Sequence, residues 1–380
     1  MRVLAVIDSL EQGGAERSLV DLIPHLRRVG VDVDVLTIGV PGLLGDAARA
    51  AGAEVHGLGA ASRHLAVAGV RRAIRVGTPD LVHTTLYEAN VAGRVAAAVE
   101  RVPVVSSLVN TPYGPDHVGG EGIRPAKVRA AQALDVATAR LVTRFHANST
   151  EVARVMRRRL LLGGVPIDVV PRGRDPAVLG EPGPQRRVAV RASLGLADDD
   201  WCVLAVARQE PAKGLDVLFT AVASLPDDLR SRTVVLVAGR EGRATDVLAR
   251  VVATLGLQER VRFLGVRDDV ADLLAGCDVF VLPSRREGFP GVVVEAMAMS
   301  APVIVTAVPG SLEALGADTG IVVPVDDAAA LAAALGSVAR HPAAARARAA
   351  VGRRRFLTHF TTGAVAAQMD DVYRRALGGG

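Results

Sequence analysis

Short apolar segments alternate with helical patterns along both halves of the chain, and this alternation strongly limits the available folds. The first segment, Arg2–Asp8, contains the uninterrupted apolar run VLAVI, which predicts a strand covered on both faces. A glycine-rich turn, an amphipathic helical pattern over Arg17–Val29 and a second strand over Val31–Gly39 follow. Repetition of this unit predicts an α/β fold with a parallel sheet that has helices on both faces.

The alternation continues on both sides of Gly180–Arg187, whose Pro/Gly composition is typical of a linker. The further predicted strands are Asp80–Thr85, Val102–Val109 and Thr143–Asn148 before it, and Trp201–Ala207, Thr233–Gly239, Arg260–Gly265, Asp278–Ser284, Pro302–Val308 and Gly320–Val325 after it. The chain's 380 residues are also more than a single hydrophobic core ordinarily accommodates. We therefore predict two Rossmann-like domains, residues 1–180 and 181–355.

The basic character of the chain does not by itself indicate a nucleic-acid partner. The net charge is +5, but arginine accounts for all but two of the 45 basic residues, the exceptions being Lys127 and Lys213. This pattern fits a compositional bias, so we interpret most of these arginines as solvated and predict no nucleic-acid binding. The same bias draws attention to Lys213, where a lysine is retained.

Cysteine usage and hydropathy predict a cytoplasmic protein. Cys202 and Cys277 are distant and apolar in context, with neither disulfide nor zinc-ligand spacing. The N-terminal apolar run predicts a strand rather than a signal peptide, and no apolar run approaches the roughly 20 residues of a membrane span. The acidic runs Asp198–Asp200 and Asp268-Asp269 lack metal-ligand spacing, so we predict no metal site.

Candidate binding residues follow the predicted strands, because open α/β sheets bind ligands beyond the carboxyl ends of their strands. Gly13-Gly14-Ala15-Glu16 follows the first strand and opens a helix, which favours a phosphate contact, although an ordinary tight turn explains it too. Arg208 and Lys213 share one loop before a helix and form a candidate diphosphate clamp. Two solvated surface charges are the alternative.

The strongest signal is the segment PSRREGFPGVVVEAMA, which follows the predicted strand Asp278–Ser284. Glu287 lies on a loop and Glu295 lies in the helix that follows. Carboxylates are good acceptors for the paired hydroxyls of a sugar or a ribose. The helix dipole alone explains Glu287 but not Glu295, which lies within an apolar segment.

These motifs resemble the retaining GT-B glycosyltransferases of family GT4. The resemblance also includes Asn148-Ser149, VRFLG at Val261–Gly265, and the stretches APVIVTAVPGSLEAL and GIVVPVDD, so it covers nearly the whole chain. It implies that the two domains face each other across a cleft and that a C-terminal helix, residues 356–380, crosses back to the N-terminal acceptor-binding domain. It also implies a nucleotide-sugar donor, for which a UDP-sugar is the commonest choice in the family, and no further cofactor.

The resemblance implies a role for each matched residue. Arg208, Lys213 and Glu287 are the catalytic candidates, the first two for the donor diphosphate and the third for hydroxyls of the donor sugar. The implied donor-binding residues are Gly14, Gly288, Phe289, Pro290, Glu295 and Val266. The chain departs from the family where Asn110 replaces a frequent histidine, and where Arg172-Gly173 replaces Asn-Gly.

The acceptor side is less defined by the sequence. Asn110, His83 and His117 are its candidates, and the Gly/Pro-rich loop Asn110–Lys127 forms its predicted pocket. We expect a small-molecule acceptor such as an aminocyclitol or another secondary-metabolite core. A lipid or polysaccharide acceptor at a membrane surface is the alternative, because Arg154–Leu162 is basic and apolar, but a solvated helix end is favoured.

Three other functions remain open on the sequence. A nicotinamide-dependent oxidoreductase is disfavoured because the chain lacks the GxGxxG spacing. A sugar-nucleotide epimerase with the same fold would use the same donor pocket, and a catalytically silent binding protein would retain it.

Overall fold

The structure is a computed structural model that describes residues 1–11, 13–60, 62–114 and 124–378. Its contacts divide the chain into two compact units. Unit 1 comprises Met1–Gly173 and the chain from Thr362 onward, and unit 2 comprises Arg174–Thr361. Each unit has its own sheet and its own core.

The described strands of unit 1 form a seven-stranded parallel sheet in the order β3-β2-β1-β4-β5-β6-β7. They are β1 Arg2–Ile7, β2 Asp32–Thr37, β3 Val55–Gly57, β4 Leu81–Thr85, β5 Val104–Leu108, β6 Arg144–Ala147 and β7 Ile167–Val169. The helices of this unit are α1 Gly14–Arg28, α2 Gly45–Ala50, α3 Arg63–Gly77, α4 Tyr87–Glu100, α5 Pro125–Ala139, α6 Thr150–Arg159 and, at the end of the chain, α17 Thr362–Ala376.

Unit 2 contains a six-stranded parallel sheet in the order β10-β9-β8-β11-β12-β13. Its strands are β8 Trp201–Val206, β9 Thr233–Ala238, β10 Val261–Gly265, β11 Val279–Leu282, β12 Val303–Thr306 and β13 Ile321–Val323. Its helices are α7 Pro176–Leu179, α8 Pro184–Ser193, α9 Leu215–Ala223, α10 Asp227–Arg230, α11 Thr245–Thr254, α12 Val270–Gly276, α13 Gly291–Ala298, α14 Pro309–Leu315, α15 Ala328–Arg340 and α16 Pro342–His359. A 3₁₀ turn, Pro211–Lys213, precedes α9.

Both sheets are buried on their two faces, which explains the uninterrupted apolar strands. In β1, Val3 and Ala5 pack into one hydrophobic cluster, whereas Leu4 and Val6 pack into another on the opposite face. Strand β8 divides in the same way between the two clusters of unit 2. The predicted pair of Rossmann-like α/β units is confirmed.

The strand orders place one switch point in each sheet. Chain direction across the sheet reverses between β1 and β4 in unit 1, and between β8 and β11 in unit 2. Crevices at such points are the usual ligand sites of doubly wound folds. The segments that follow β1, β4, β8 and β11 are therefore the places to search for a site.

The units divide at other residues than the sequence pattern predicts, and strands β3 and β7 have no predicted counterpart. The contacts change units after Gly173 rather than after residue 180, because the linker-like segment packs on unit 2. Arg186 there bonds Asp272 at 2.6 Å and the Leu179 carbonyl at 2.8 Å. The return to unit 1 comes after Thr361 rather than residue 355, since α16 continues to His359. Strands β3 and β7 have three residues each and include His56, Gly57 or Asp168, so they lack the apolar run that indicates the equally short β13.

The final helix returns to unit 1, as predicted. Its apolar positions Val365, Met369, Val372 and Tyr373 are buried in the unit 1 core beside residues of α1. The same helix carries a buried polar group into this core, because the Tyr373 hydroxyl lies 2.8 Å from His83 Nδ1.

This contact begins a chain of hydrogen bonds with a defined direction. The Val170 carbonyl only accepts, so His146 Nε2, 3.0 Å away, donates to it, and His146 Nδ1 accepts from Ser107 Oγ at 2.8 Å. Ser107 in turn accepts from His83 Nε2 at 2.7 Å, and His83 Nδ1 accepts from Tyr373. Both imidazoles are thus neutral, in agreement with burial, which lowers the pKa of His83 to about 3 and also lowers the pKa of His146.

Among the described helices, none is both long enough and apolar enough to span a bilayer.

We expect Tyr373→Phe to destabilise unit 1 by about 1–3 kcal/mol, because it leaves the buried Nδ1 of His83 without a donor. Chemical denaturation followed by circular dichroism measures this change. Tyr87→Phe is the matched control, since the Tyr87 hydroxyl makes a partly exposed, 3.2 Å bond to the Ala131 carbonyl. An equal loss of unfolding free energy in the two variants would contradict a special role for the buried chain of hydrogen bonds.

Candidate functional site

Two predicted catalytic residues meet at the switch point of unit 2. Lys213 ends the 3₁₀ turn after β8, and its Nζ donates to Glu287 Oε1 over 2.7 Å. Ser284, at the end of the β11 segment, donates to the same oxygen over 2.7 Å. The side chains of Lys213 and Glu287 are only 21% and 11% exposed. Both bonds go to Oε1, which leaves Oε2 of Glu287 available for another donor.

A glycine allows the two loops to approach this closely. Gly214 has φ +64°, and a Cβ at this position would lie 2.1 Å from the Pro283 carbonyl oxygen. Neither the conformation nor the space suits another residue. Gly214 therefore presses the turn that carries Lys213 against the segment that carries Glu287.

Arg285 holds the same loops together from the other side. Its guanidinium donates to both carboxylate oxygens of Asp216, at 2.7 and 3.1 Å, and to Asp326 at 2.6 Å. It also bonds the Pro211 carbonyl at 2.5 Å, and its own N–H bonds the Ala212 carbonyl at 2.8 Å. Arg285 thus fixes the 3₁₀ turn that presents Lys213.

Glu295 lies one turn into α13 and is paired rather than free. Its Oε1 accepts from Arg174 Nε at 2.5 Å, and both side chains are largely buried. A Cβ at Gly291 would lie 2.3 Å from Arg174 Nη2, so this glycine makes room for the guanidinium over the start of the helix. The partner explains how a carboxylate is tolerated in this apolar segment.

The remaining predicted donor-binding residues lie around these loops. Arg208 is exposed directly after β8, and Val266 is exposed after β10. Phe289 is 3% exposed and its ring lies 5.8 Å from the Phe360 ring, so its side chain belongs to the core of unit 2. Pro290 precedes α13, whose first turn has no side-chain cap.

The backbone of Gly288 packs closely against Gly310. A Cβ at Gly310, in the first turn of α14, would lie 2.3 Å from the Gly288 carbonyl oxygen. The loop that carries Glu287 is thereby packed against a second helix start.

Unit 1 has a cavity of about 620 Å³ at its own switch point. Asp8 after β1, Tyr87 after β4 and Asn110 after β5 line it, and Lys127 of α5 lies at its edge. Asn110, a predicted acceptor-side candidate, is thus placed in a cavity large enough for a small molecule. Of the two lysines in the chain, one lines this cavity and the other is Lys213.

Asp8 is a cavity carboxylate whose ionisation is altered by its surroundings. Burial, assisted by the negative charges of Glu88 and Glu16, raises its pKa to about 6. Two backbone N–H groups at the start of α4 oppose this change: Ala89 N donates at 2.7 Å and Glu88 N at 3.4 Å. At neutral pH the carboxylate is ionised and partly desolvated.

The other predicted residues of unit 1 have different surroundings. Gly14 opens α1, and a Cβ there would lie 2.6 Å from Arg172 Nη1, so its small size admits that guanidinium. His83 is 7% exposed and both ring nitrogens are bonded within the buried chain, which leaves none for an acceptor. We therefore correct its role to a structural one. His117 and half of the predicted acceptor loop, residues 115–123, lie outside the described residues.

The basic segment proposed as a membrane contact is largely engaged internally. Arg154 makes two 2.7 Å bonds to Glu151, and Arg157 bonds the Gly163 carbonyl at 2.6 Å. Arg159 bonds the Thr111 and Pro112 carbonyls and so holds the start of the acceptor loop. Within the described part of the chain, no group of three or more His, Cys, Asp or Glu side chains has a metal-binding arrangement.

Four residues that the structure places at these sites have no role in the sequence predictions: Asp8, Ser284, Arg285 and Arg174. Asp8 lies at the end of the first predicted strand. A polar residue at the carboxyl end of a strand is the same signal that indicates the candidate residues elsewhere in the chain. Arginines are so abundant that neither Arg174 nor Arg285 could be distinguished from solvated ones by composition.

Family profiles cover both units. The profile described as glycosyl transferases group 1 matches residues 187–355, and the profile described as glycosyltransferase family 4 matches residues 12–178.

Curated relatives resemble more than three quarters of the chain, and a solved structure resembles nearly all of it. The D-inositol 3-phosphate glycosyltransferase of Kineococcus radiotolerans is 34% identical over 321 residues, which cover 78% of this chain and 72% of the relative. The protein of the same name from Xylanimonas cellulosilytica is 32% identical, covering 79% and 73%. Anabaena Alr3699/HepE in complex with UDP has a TM-score of 0.83 at 22% identity, covering 99% of this chain and 100% of that one.

We expect Asp8→Asn to stabilise unit 1 by about 1–2 kcal/mol at pH 8. Because the folded-state pKa lies above the unfolded value of 3.8, the ionised carboxylate destabilises the fold above about pH 6, and this effect fades as the pH falls towards 4. Asparagine still accepts the Ala89 N–H. Denaturation at pH 8, 6 and 4.5 should show a difference from wild type that shrinks with decreasing pH.

Asp80→Asn is the control for this measurement, because Asp80 accepts the Arg2 N–H at 2.8 Å before β4, at the opposite end of the sheet. A stabilisation of equal size in this variant, or a destabilised Asp8→Asn protein at pH 8, would show that hydrogen bonding to the helix start outweighs desolvation of the charge.

Proposed function

The chain belongs to the glycosyl transferases group 1 family, and we propose that it transfers a sugar from a UDP-sugar to a hydroxyl of a cyclitol. Unit 1 matches the profile of glycosyltransferase family 4. The observation that carries the proposal is the Lys213–Glu287 pair at the switch point of unit 2. In this pair, a cation suited to phosphate is hydrogen-bonded directly to a carboxylate suited to sugar hydroxyls.

The proposed donor site uses both members of this pair. Lys213 and the exposed Arg208 bind the diphosphate, assisted by uncapped N–H groups at the start of α13. When Lys213 binds phosphate oxygens, Glu287 keeps its hydrogen bond from Ser284 and offers Oε2 to a sugar hydroxyl. Glu295, oriented by Arg174, accepts from the ribose hydroxyls. A uridine nucleotide is preferred because the Anabaena protein of this fold was solved with UDP and with UDP-glucose.

The proposed acceptor site is the unit 1 cavity. Its size suits a six-membered ring, and Asp8, Tyr87 and Asn110 supply polar groups for hydroxyls. A cyclitol is favoured because the relatives from Kineococcus and Xylanimonas are named for D-inositol 3-phosphate. Lys127 at the edge of the cavity suits an anionic substituent.

We propose that the reaction retains the anomeric configuration and needs no metal. As the bond between the anomeric carbon and the diphosphate breaks, Lys213, Arg208 and the helix start stabilise the charge that develops on the leaving oxygen. The acceptor oxygen bonds to the same face of the sugar, and its proton passes to the leaving phosphate.

The first test combines ligand-induced thermal shift with product analysis. Protein in chelator is heated with UDP, GDP, ADP, TDP and their sugar conjugates, because a ligand specific for the folded state raises the melting temperature. We expect a shift with UDP, and we expect Lys213→Ala to weaken UDP binding by roughly tenfold to a hundredfold.

Arg230→Ala is the matched loss of a cation in unit 2, because Arg230 pairs with Asp227 on the short helix α10. It should leave UDP binding unchanged. Incubation with UDP-glucose or UDP-N-acetylglucosamine and a cyclitol panel should release UDP and form a glycoside of retained configuration. An altered sugar nucleotide without UDP release would instead indicate an epimerase, and no UDP-dependent shift at millimolar concentration would contradict the donor assignment.

A further inference from the structure

Three carboxylates of the described residues line the unit 1 cavity, and two of them are neutralised by arginines. Glu88 receives two hydrogen bonds from Arg63, at 2.8 and 2.9 Å. Asp135 receives Arg94 Nη1 on one oxygen at 2.6 Å and the Tyr113 hydroxyl on the other at 2.8 Å. Arg94 is fully buried, so this second pair is a fixed part of the cavity wall.

Asp8 is the exception among these three. The partners that the described residues give it are backbone N–H groups, from Ala89 at 2.7 Å and from Glu88 at 3.4 Å. Its nearest charges, on Glu88 of α4 and Glu16 of α1, are negative, and Arg63 of α3 is already occupied by Glu88. A carboxylate has about four lone-pair positions, so Asp8 retains acceptor capacity on the side of the cavity.

The backbone around Asp8 is held in an unusual conformation. Leu86, between β4 and α4, has φ +75° and ψ 171°, a region that normally accommodates only glycine. This turn directs the first N–H groups of α4 towards Asp8 instead of towards a local cap, because the helix has no side-chain cap of its own. The position of the carboxylate at the cavity wall is therefore fixed by two elements, β1 and α4.

We propose that Asp8 is an acceptor-binding residue whose carboxylate accepts a hydrogen bond from a hydroxyl of the polyol in the unit 1 cavity. The proposal deepens the proposed function and rests on it. Among the described residues, no arginine or lysine is paired with Asp8, so it selects for a neutral, hydroxyl-bearing face of the acceptor. An anionic substituent on the same molecule is repelled by Asp8 and lies towards Lys127 instead.

Loss of this contact should change the kinetic constants for the acceptor and leave those for the donor unchanged. With UDP-sugar saturating and the best cyclitol from the product screen varied, Asp8→Asn should raise the acceptor KM at least tenfold, since asparagine cannot provide the charged acceptor. The KM for UDP-sugar and the thermal shift with UDP should remain within twofold of wild type. Asp80→Asn should match wild type in all three measurements.

The pH profile separates binding from a purely structural role. Wild-type kcat/KM for the acceptor should fall as the pH decreases through about 6, because Asp8 becomes protonated there. Asp8→Asn should lack this acidic limb while keeping a wild-type circular dichroism spectrum. Transfer by Asp8→Asn with an unchanged acceptor KM, or with the acidic limb intact, would overturn the proposal and leave the transferase assignment standing. A wild-type protein that binds UDP but glycosylates no cyclitol would overturn the proposed acceptor and this contact together.

Discussion

Burial of both faces of two parallel sheets is the constraint on which the rest of the structure depends. Strands such as β1 and β8 divide their apolar side chains between two clusters, so they have no polar face on which to carry chemistry. Polar groups that act on ligands are consequently placed where the strands end. The Lys213–Glu287 pair and Asp8 both occupy this position, at the switch points of their respective sheets.

Charged groups at these edges are kept in place by neighbours that neutralise or orient them. Arg285 binds Asp216 and the turn that carries Lys213, and Arg174 binds Glu295 beside a glycine that makes room for it. Arg94 does the same for Asp135 in unit 1. Several charges near the two sites are thus structural. Asp8 differs from them, because its hydrogen-bond partners among the described residues are backbone N–H groups, and burial raises its pKa to about 6.

Much of the candidate donor site could be predicted because its residues lie close together along the chain. The segment Pro283–Ala298 contains Glu287 and Glu295, and the position of Lys213 after a strand fixes it at the same sheet edge. Their exact partners could not be predicted, since Arg174 is 121 residues from Glu295. His83 was assigned to the acceptor side on its position in the sequence, but Tyr373, 290 residues away, engages it in the core.

The sequence by itself determined the two α/β units, the described strands other than β3 and β7, and the family, because these depend on local apolar patterns and contiguous motifs. Only the tertiary structure decided which charges are compensated, where the units divide, and that Asp8 lines a cavity. These properties depend on side chains brought together from distant parts of the chain. Periodicity records the burial of a single segment, whereas hydrogen bonding and desolvation depend on what packs against it.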